Sequence, residues 1–250
     1  MLDLISFVGI DEQTNLKSIV DLEESYKEKS ISAEYGFLYS ESRSKSDDSR
    51  YPPLPFILES VLFLHRNSVK TSIHLCGEEV INDYLNGEEY IFELIDNSRV
   101  QLNFNIRKHD TDTLIAQVLA ASQYKGQKSL ILQYNDSKKE FINRIVELYD
   151  AIKSKPTIDI LYDKSGGYGR PLTAIDPIPG ADDFYMGYAG GINPENVLSI
   201  LRMLENNVNR FKPYYIDMES GIRTNNILDL DKVSSVYSQC VEFIDNYSYF

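Results

Sequence analysis

Short apolar runs alternate with longer segments of helical periodicity along the whole chain, the signal of a parallel α/β arrangement. The runs predict eight strands, at Leu4–Ile10, Ser32–Tyr39, Thr71–Leu75, Arg99–Phe104, Ser129–Gln133, Ile158–Tyr162, Phe184–Tyr188 and Tyr214–Met218. They recur at intervals of roughly 25 to 40 residues, and a helix-compatible stretch follows each. Eight βα units with nothing left over close more economically into a barrel than into an open sheet. The predicted fold is therefore α/β, a single (β/α)8 TIM barrel occupying residues 1–250 as one domain, without further repeats or a dividing linker.

Turn-forming residues gather at the carboxyl ends of the strands: Ser40 to Pro55, Gly77, Ser165 to Gly180, Gly190–Gly191 and Ser220–Gly221. In a barrel these loops share one face, the face that carries the site. The strongest local signal is Tyr188-Ala-Gly-Gly-Ile-Asn-Pro-Glu-Asn-Val197. A strand ends, two glycines let the backbone approach a ligand, and Asn193 and Pro194 open a helix as N-cap and first-turn residue. Such a turn aims N–H groups and the positive end of a helix dipole at one spot. A second turn, Asp217-Met-Glu-Ser-Gly-Ile-Arg223, follows strand eight. Together they predict a phosphate site after strands seven and eight.

The formal net charge of −13 argues against nucleic acid or an anionic membrane as the main partner. It leaves a phosphorylated small molecule open, because helix N-termini bind anions whatever the global sign. With 42% hydrophobic and 25% charged residues the chain can bury a substantial core. Two distant cysteines, Cys76 and Cys240, suggest a reducing, cytoplasmic setting. The N-terminal apolar run lacks a basic leader, and no stretch approaches the roughly 20 apolar residues of a membrane span. His65, His74 and His109 are scattered, so neither a metal nor a cofactor is expected. The oligomeric state is left open.

Several segments resemble phosphoribosylanthranilate isomerase. Ala189-Gly-Gly-Ile-Asn-Pro-Glu-Asn-Val197 is similar to that family's phosphate loop, and Ile216-Asp-Met-Glu-Ser-Gly-Ile222 to its last-strand motif, usually an Asp followed by Ser-Ser-Gly. Asp163-Lys-Ser-Gly-Gly-Tyr-Gly-Arg170 resembles the strand-six Asp and its glycine-rich loop, and Asp229-Leu-Asp-Lys-Val233 the entry to the final helix. The likeness is good from about Ile158 onward and weaker, though collinear, before it. It implies phosphate contacts at Gly190, Gly191, Ser220 and Gly221, with Asp217 in the same motif. It implies an aldose–ketose (Amadori) isomerisation with Asp163 as the general acid, and a role in tryptophan biosynthesis. Ser49-Arg50-Tyr51-Pro52 resembles the segment that recognises the anthranilate carboxylate, making Arg50 the candidate and Arg43 the second choice.

One departure stands out. The family's strand-one pattern is Cys-Gly-Ile, whereas this chain reads Val8-Gly9-Ile10. Valine cannot move a proton, so another group must serve if the chemistry survives. Ser72-Ile-His-Leu-Cys-Gly77 puts His74 and Cys76 on one face of strand three, where the base could activate the thiol. An inward Glu34 would need a partner or a ligand, and Gln101 and Asn103 share a face of strand four. Three readings follow: an isomerase with altered catalytic groups, a related barrel enzyme acting on another phosphosugar, or a non-catalytic phosphometabolite-binding barrel.

Overall fold

The computed structural model describes the chain except residues 47, 105–110, 153–154, 165, 167–168, 209–211 and 248–250. Eight parallel strands, each hydrogen-bonded to the next and the last to the first, close a barrel in chain order. They are β1 (Leu2–Val8), β2 (Ser32–Tyr39), β3 (Lys70–Cys76), β4 (Arg99–Asn103), β5 (Ser129–Tyr134), β6 (Ile158–Tyr162), β7 (Tyr185–Ala189) and β8 (Tyr214–Met218). β1 lies two residues earlier than expected. Met1 O accepts the Tyr214 N–H at 3.1 Å, which ties the chain start to β8. At the other end Gly9, at φ +106°, turns the chain out of the sheet.

Eight α-helices are found among the described residues: α1 (Leu16–Tyr26), α2 (Leu54–Arg66), α3 (Glu78–Asn86), α4 (Glu89–Ile95), α5 (Thr111–Ala121), α6 (Lys139–Tyr149), α7 (Val197–Asn207) and α8 (Leu230–Tyr247). Their distribution departs from one helix per strand. The β3–β4 connection holds two short helices, separated by Gly87 in the left-handed region. The β6–β7 connection has no α-helix among its described residues, only a 3-10 turn at Ala181–Asp183. Pro171, Pro177 and Pro179 explain this, since each removes an N–H and pushes its predecessor away from helical backbone. After β8 a two-strand ribbon, β9 (Arg223–Thr224) and β10 (Ile227–Leu228), turns through Asn225 and Asn226, both at positive φ.

Strand alternation divides the side chains. Ile5, Phe7, Tyr35, Phe37, Ile73, Leu75, Val100, Leu102, Leu132 and Ile160 join the helices in the main hydrophobic core. The inward face is different. Leu4, Ile131, Leu161, Ala189 and Tyr215 form only a small apolar cluster there. Gly187 makes room for it, because a Cβ at that position would fall 2.1 Å from the Tyr215 ring.

The rest of the interior is polar and centred on Arg99. Its Nη1 donates to Glu34 Oε1 at 3.2 Å, and its Nε donates to Asp159 Oδ2 at 3.1 Å. Its guanidinium carbon lies 4.1 Å from the Tyr215 ring centroid. The Ser6 hydroxyl donates to the same Glu34 oxygen at 3.2 Å. Glu34 and Asp159 are both buried, so neither carboxylate can turn to bulk water. A cavity of about 710 Å³ at the amino-terminal end of the barrel opens onto Glu34, Arg99 and Tyr185.

Replacing Arg99 with Met should therefore leave two buried carboxylates uncompensated. Urea denaturation of Arg99→Met is expected to show a loss of about 3–5 kcal/mol, the range for breaking a buried pair from one side. A loss below about 1 kcal/mol would mean that these charges are solvated like surface groups.

Candidate active site

The carboxyl ends of all eight strands surround a cavity of about 770 Å³. Each predicted site residue except Glu34 lines it. Glu34 faces the opposite end of the barrel, and the cost of its burial is met by Arg99 rather than by a ligand at the mouth.

On the β6 side, Asp163 is buried and accepts a hydrogen bond from Gln133 Nε2 at 2.7 Å. Gln133 Oε1 in turn accepts from Lys138 Nζ at 3.0 Å. Lys138 precedes α6, lies under the Phe104 ring and lines the cavity. Burial lowers its ammonium to about 8, with Asp163 and the Cys76 thiol pulling the other way. No sequence pattern marks Lys138 as a site residue, since it lies in a polar stretch just before α6.

On the β8 side, Asp217 pairs in register with Ser6. Burial raises its carboxyl to about 7 and the Glu34 charge adds to this, while Ser6 and Arg99 oppose it. Glu219, two residues on, is half-buried and also lines the cavity. Its carboxyl is raised by burial, against the pull of Arg50 and Arg223.

Strand three brings His74 and Cys76 to the same inward face, both nearly inaccessible. They do not form an activated pair. The Cys76 thiol donates to the His74 backbone carbonyl at 3.4 Å, and Asn103 Nδ2 donates to the sulfur at 3.3 Å. The imidazole Nε2 lies 3.5 Å from the Ser72 hydroxyl. Burial pushes the thiol up to about 11. Burial and the nearby Arg99 charge press the imidazole down to about 3, so both groups are neutral at pH 7. Gln101 Nε2 donates to Asn103 Oδ1 at 2.8 Å, and Gln101 Oε1 is buried with no hydrogen-bond partner among the described residues.

The glycine turns interlock. Gly190 and Gly191 adopt φ of +134° and +58°. A Cβ at Gly191 would stand 2.6 Å from Gly169 O, and one at Gly221 would stand 1.9 Å from Ile192 O. The loops after β6, β7 and β8 therefore touch through backbone that tolerates no side chain. The helix after β7 starts later than expected, at Val197. Before it, Asn193 Oδ1 accepts from Glu195 N at 2.8 Å, and Asn196 closes the turn onto Gly191 O at 2.8 Å. Asparagine side chains satisfy this backbone, which holds the turn open without a regular helix.

The β2 loop supplies two cations. Arg50 grips Asp48 through Nε (3.0 Å) and Nη2 (2.7 Å), and its Nη1 stands 3.8 Å from Glu219 Oε1. Arg43 and Arg50 both lie over the buried Tyr51 ring. Arg223, buried against Asp11 at 3.0 Å and donating to Gly9 O and Asn226 O, joins the end of β1 to the β9–β10 ribbon. His109, Ser165, Gly167 and Tyr168 lie outside the described residues. Among the described residues no group of three or more His, Cys, Asp or Glu could hold a metal ion, and no helix is long and apolar enough to cross a membrane.

No family model matches this sequence. A segment is 33% identical over 85 residues to N-(5'-phosphoribosyl)anthranilate isomerase of Desulfitobacterium hafniense, covering 30% of this chain and 32% of that protein. The match thus spans about a third of the curated relative. Phosphoribosyl anthranilate isomerase from Thermus thermophilus superimposes with a TM-score of 0.54 at 14% identity, covering 97% of this chain and 99% of that one. N-acetylneuraminic acid synthetase from Leptospira borgpetersenii superimposes with a TM-score of 0.60 at 11% identity, over 98% and 85%. The chain is thus a (β/α)8 barrel like phosphoribosylanthranilate isomerase, similar to it in one stretch of sequence and in fold, and it shares that fold with barrels of other function.

Two outcomes follow from these electrostatics. A thiol titrating at about 11 is only about one-thousandth thiolate at pH 8, so Cys76 should alkylate with iodoacetamide far more slowly than a free cysteine; peptide mapping at the rate of a free thiol would contradict this environment. Asp217 titrates at about 7 folded against 3.8 in its reference state, so its protonated form is favoured in the folded chain. Its contribution to stability is present below about pH 4 and is lost as pH rises through about 7. Asp217→Asn should flatten that limb of the stability profile, read from melting temperatures across the range; an unchanged slope would refute the assignment.

Proposed function

We propose that this barrel catalyses an aldose–ketose isomerisation of a phosphorylated ribosylamine, of the phosphoribosylanthranilate type, in tryptophan biosynthesis. The observation that carries the reading is the gathering of two carboxyl groups, Asp163 and Asp217, in one cavity beneath the turns that hold Gly190, Gly191, Ser220 and Gly221. In this reading those turns bind the phosphate through backbone N–H groups and the Ser220 hydroxyl. Asp163 protonates the ring oxygen and opens the ring, while the amine nitrogen forms a C1=N bond. Removal of the C2 proton gives an enol that becomes the amino-ketose. Arg50, with Arg43 behind Tyr51, recognises the carboxylate of the aromatic half. Gln101 Oε1 is an acceptor left for a ligand hydroxyl or amine.

A second reading, a phosphometabolite-binding barrel without catalysis, is favoured by one observation. Val8 replaces the strand-one thiol, and neither His74 nor Cys76 sits where it could become charged. The two readings separate in one assay. Purified protein should quench the fluorescence of phosphoribosylanthranilate catalytically, and Asp163→Asn should lower kcat by about 10²–10⁴-fold, the usual worth of a general acid. Binding of the reduced product without turnover by the unmodified chain would select the second reading.

A further inference from the structure

We propose that Glu219 is a further catalytic residue of this isomerisation, taking the C2 proton in place of the thiol that Val8 lacks; the inference rests on the reading just given. Two departures in the sequence fall at adjacent points of the barrel. Val8 stands where the resembling motif has a cysteine. Glu219 stands where the last-strand motif, Asp followed by Ser-Ser-Gly, has its first serine. The β1–β8 register pairs Phe7 with Met218, which brings Val8 alongside Glu219 on the next step. Ser6 and Asp217 pair one layer deeper, so both Val8 and Glu219 face inward, at the rim. A Cβ at Gly9 would lie 3.6 Å from Glu219 Cγ, which places the glutamate stem against the end of β1. The strand pair that has lost a proton-transfer group on one side carries one on the other.

Glu219 is also held in a way that suits proton transfer. Its backbone is fixed, with Glu219 O accepting from Ile222 N at 3.2 Å at the start of the 3-10 turn that carries Ser220 and Gly221. Its carboxylate is not locked: Arg50 Nη1 at 3.8 Å is beyond hydrogen-bonding distance, and the side chain keeps 31% exposure toward the cavity. Asp11 differs, being fully buried and bound by Arg223 and the Leu228 N–H. Asp217 lies deeper, beside Ser6 and the Arg99 charge. Burial raises the Glu219 carboxyl above its ordinary value, against the pull of Arg50 and Arg223.

The step balances within the substrate. Once the ring has opened to a C1=N iminium, the Glu219 carboxylate takes the C2 proton, and the C2–H electron pair becomes the C1=C2 bond. The iminium π pair returns to nitrogen, giving the enolamine. Loss of the 2-hydroxyl proton and return of one proton to C1 then yield the ketose, with no external oxidant or reductant.

The experiment measures kcat and KM of the unmodified chain, Glu219→Gln, Glu219→Asp and Val8→Cys/Glu219→Gln with phosphoribosylanthranilate, together with binding of the reduced product. Glu219→Gln should lose about 10²–10⁴-fold in kcat, the worth of a general base, while still binding the reduced product. Glu219→Asp should keep part of the rate, and a thiol at position 8 should restore part of it to the glutamine variant. Normal turnover by Glu219→Gln, or a raised KM at unchanged kcat, would overturn the assignment while leaving the isomerase reading intact. An unmodified chain that binds the reduced product without turnover would instead remove that reading, and this inference with it.

Discussion

The guanidinium of Arg99 inside the barrel sets the terms for everything above it. It is buried between Glu34 and Asp159 and stacked on Tyr215, so the lower half of the interior is an ionic layer rather than a packed hydrocarbon one. Such a layer folds only because both carboxylates are paired and Ser6 and Ser129 supply further hydrogen bonds. The same positive charge reaches upward. It helps keep His74 neutral and restrains the rise of Asp217. A structural ion pair and the protonation of the mouth are thus one electrostatic problem.

Above that layer the groups divide by depth. Those on β3 are buried: desolvation keeps the Cys76 thiol and the His74 imidazole neutral, the Arg99 charge adding to this at His74 and the Asn103 hydrogen bond opposing it at Cys76. Those on β8 look into the cavity, and burial displaces their carboxyls upward, at Glu219 against the pull of Arg50 3.8 Å away. Proton chemistry at neutral pH needs groups of the second kind. The interlock of Gly169, Gly191, Gly221 and Ile192 keeps the loops after β6, β7 and β8 at fixed spacing, so any phosphate bound there would be presented to the same carboxyl groups.

Much of this was legible in the chain. The apolar runs placed all eight strands within a few residues, because the helix-facing residues of each strand are apolar and turn residues bound the run, even where the inward face is polar. The glycine turns were legible because only glycine permits those backbone approaches. The lack of an α-helix among the described residues after β6 follows from Pro171, Pro177 and Pro179, which hydrophobic periodicity does not register. Lys138 and Glu219 were not legible as site residues. One lies in a polar loop like many others, and the other needed the β1–β8 register to place it beside Val8.

The sequence by itself determined the barrel, the order of its strands, the turns at its mouth and the absence of a thiol on β1, since all of these follow from local periodicity, backbone sterics and residue identity. Only the tertiary structure decided which titratable groups are usable. Glu34 was set apart from the mouth by its pairing with Arg99, 65 residues away in the chain. His74 and Cys76 were made neutral, and Asp217 was raised, by burial and by charges brought together from other strands. Desolvation and Coulomb energy depend on distance in space, which the order of residues along the chain does not contain.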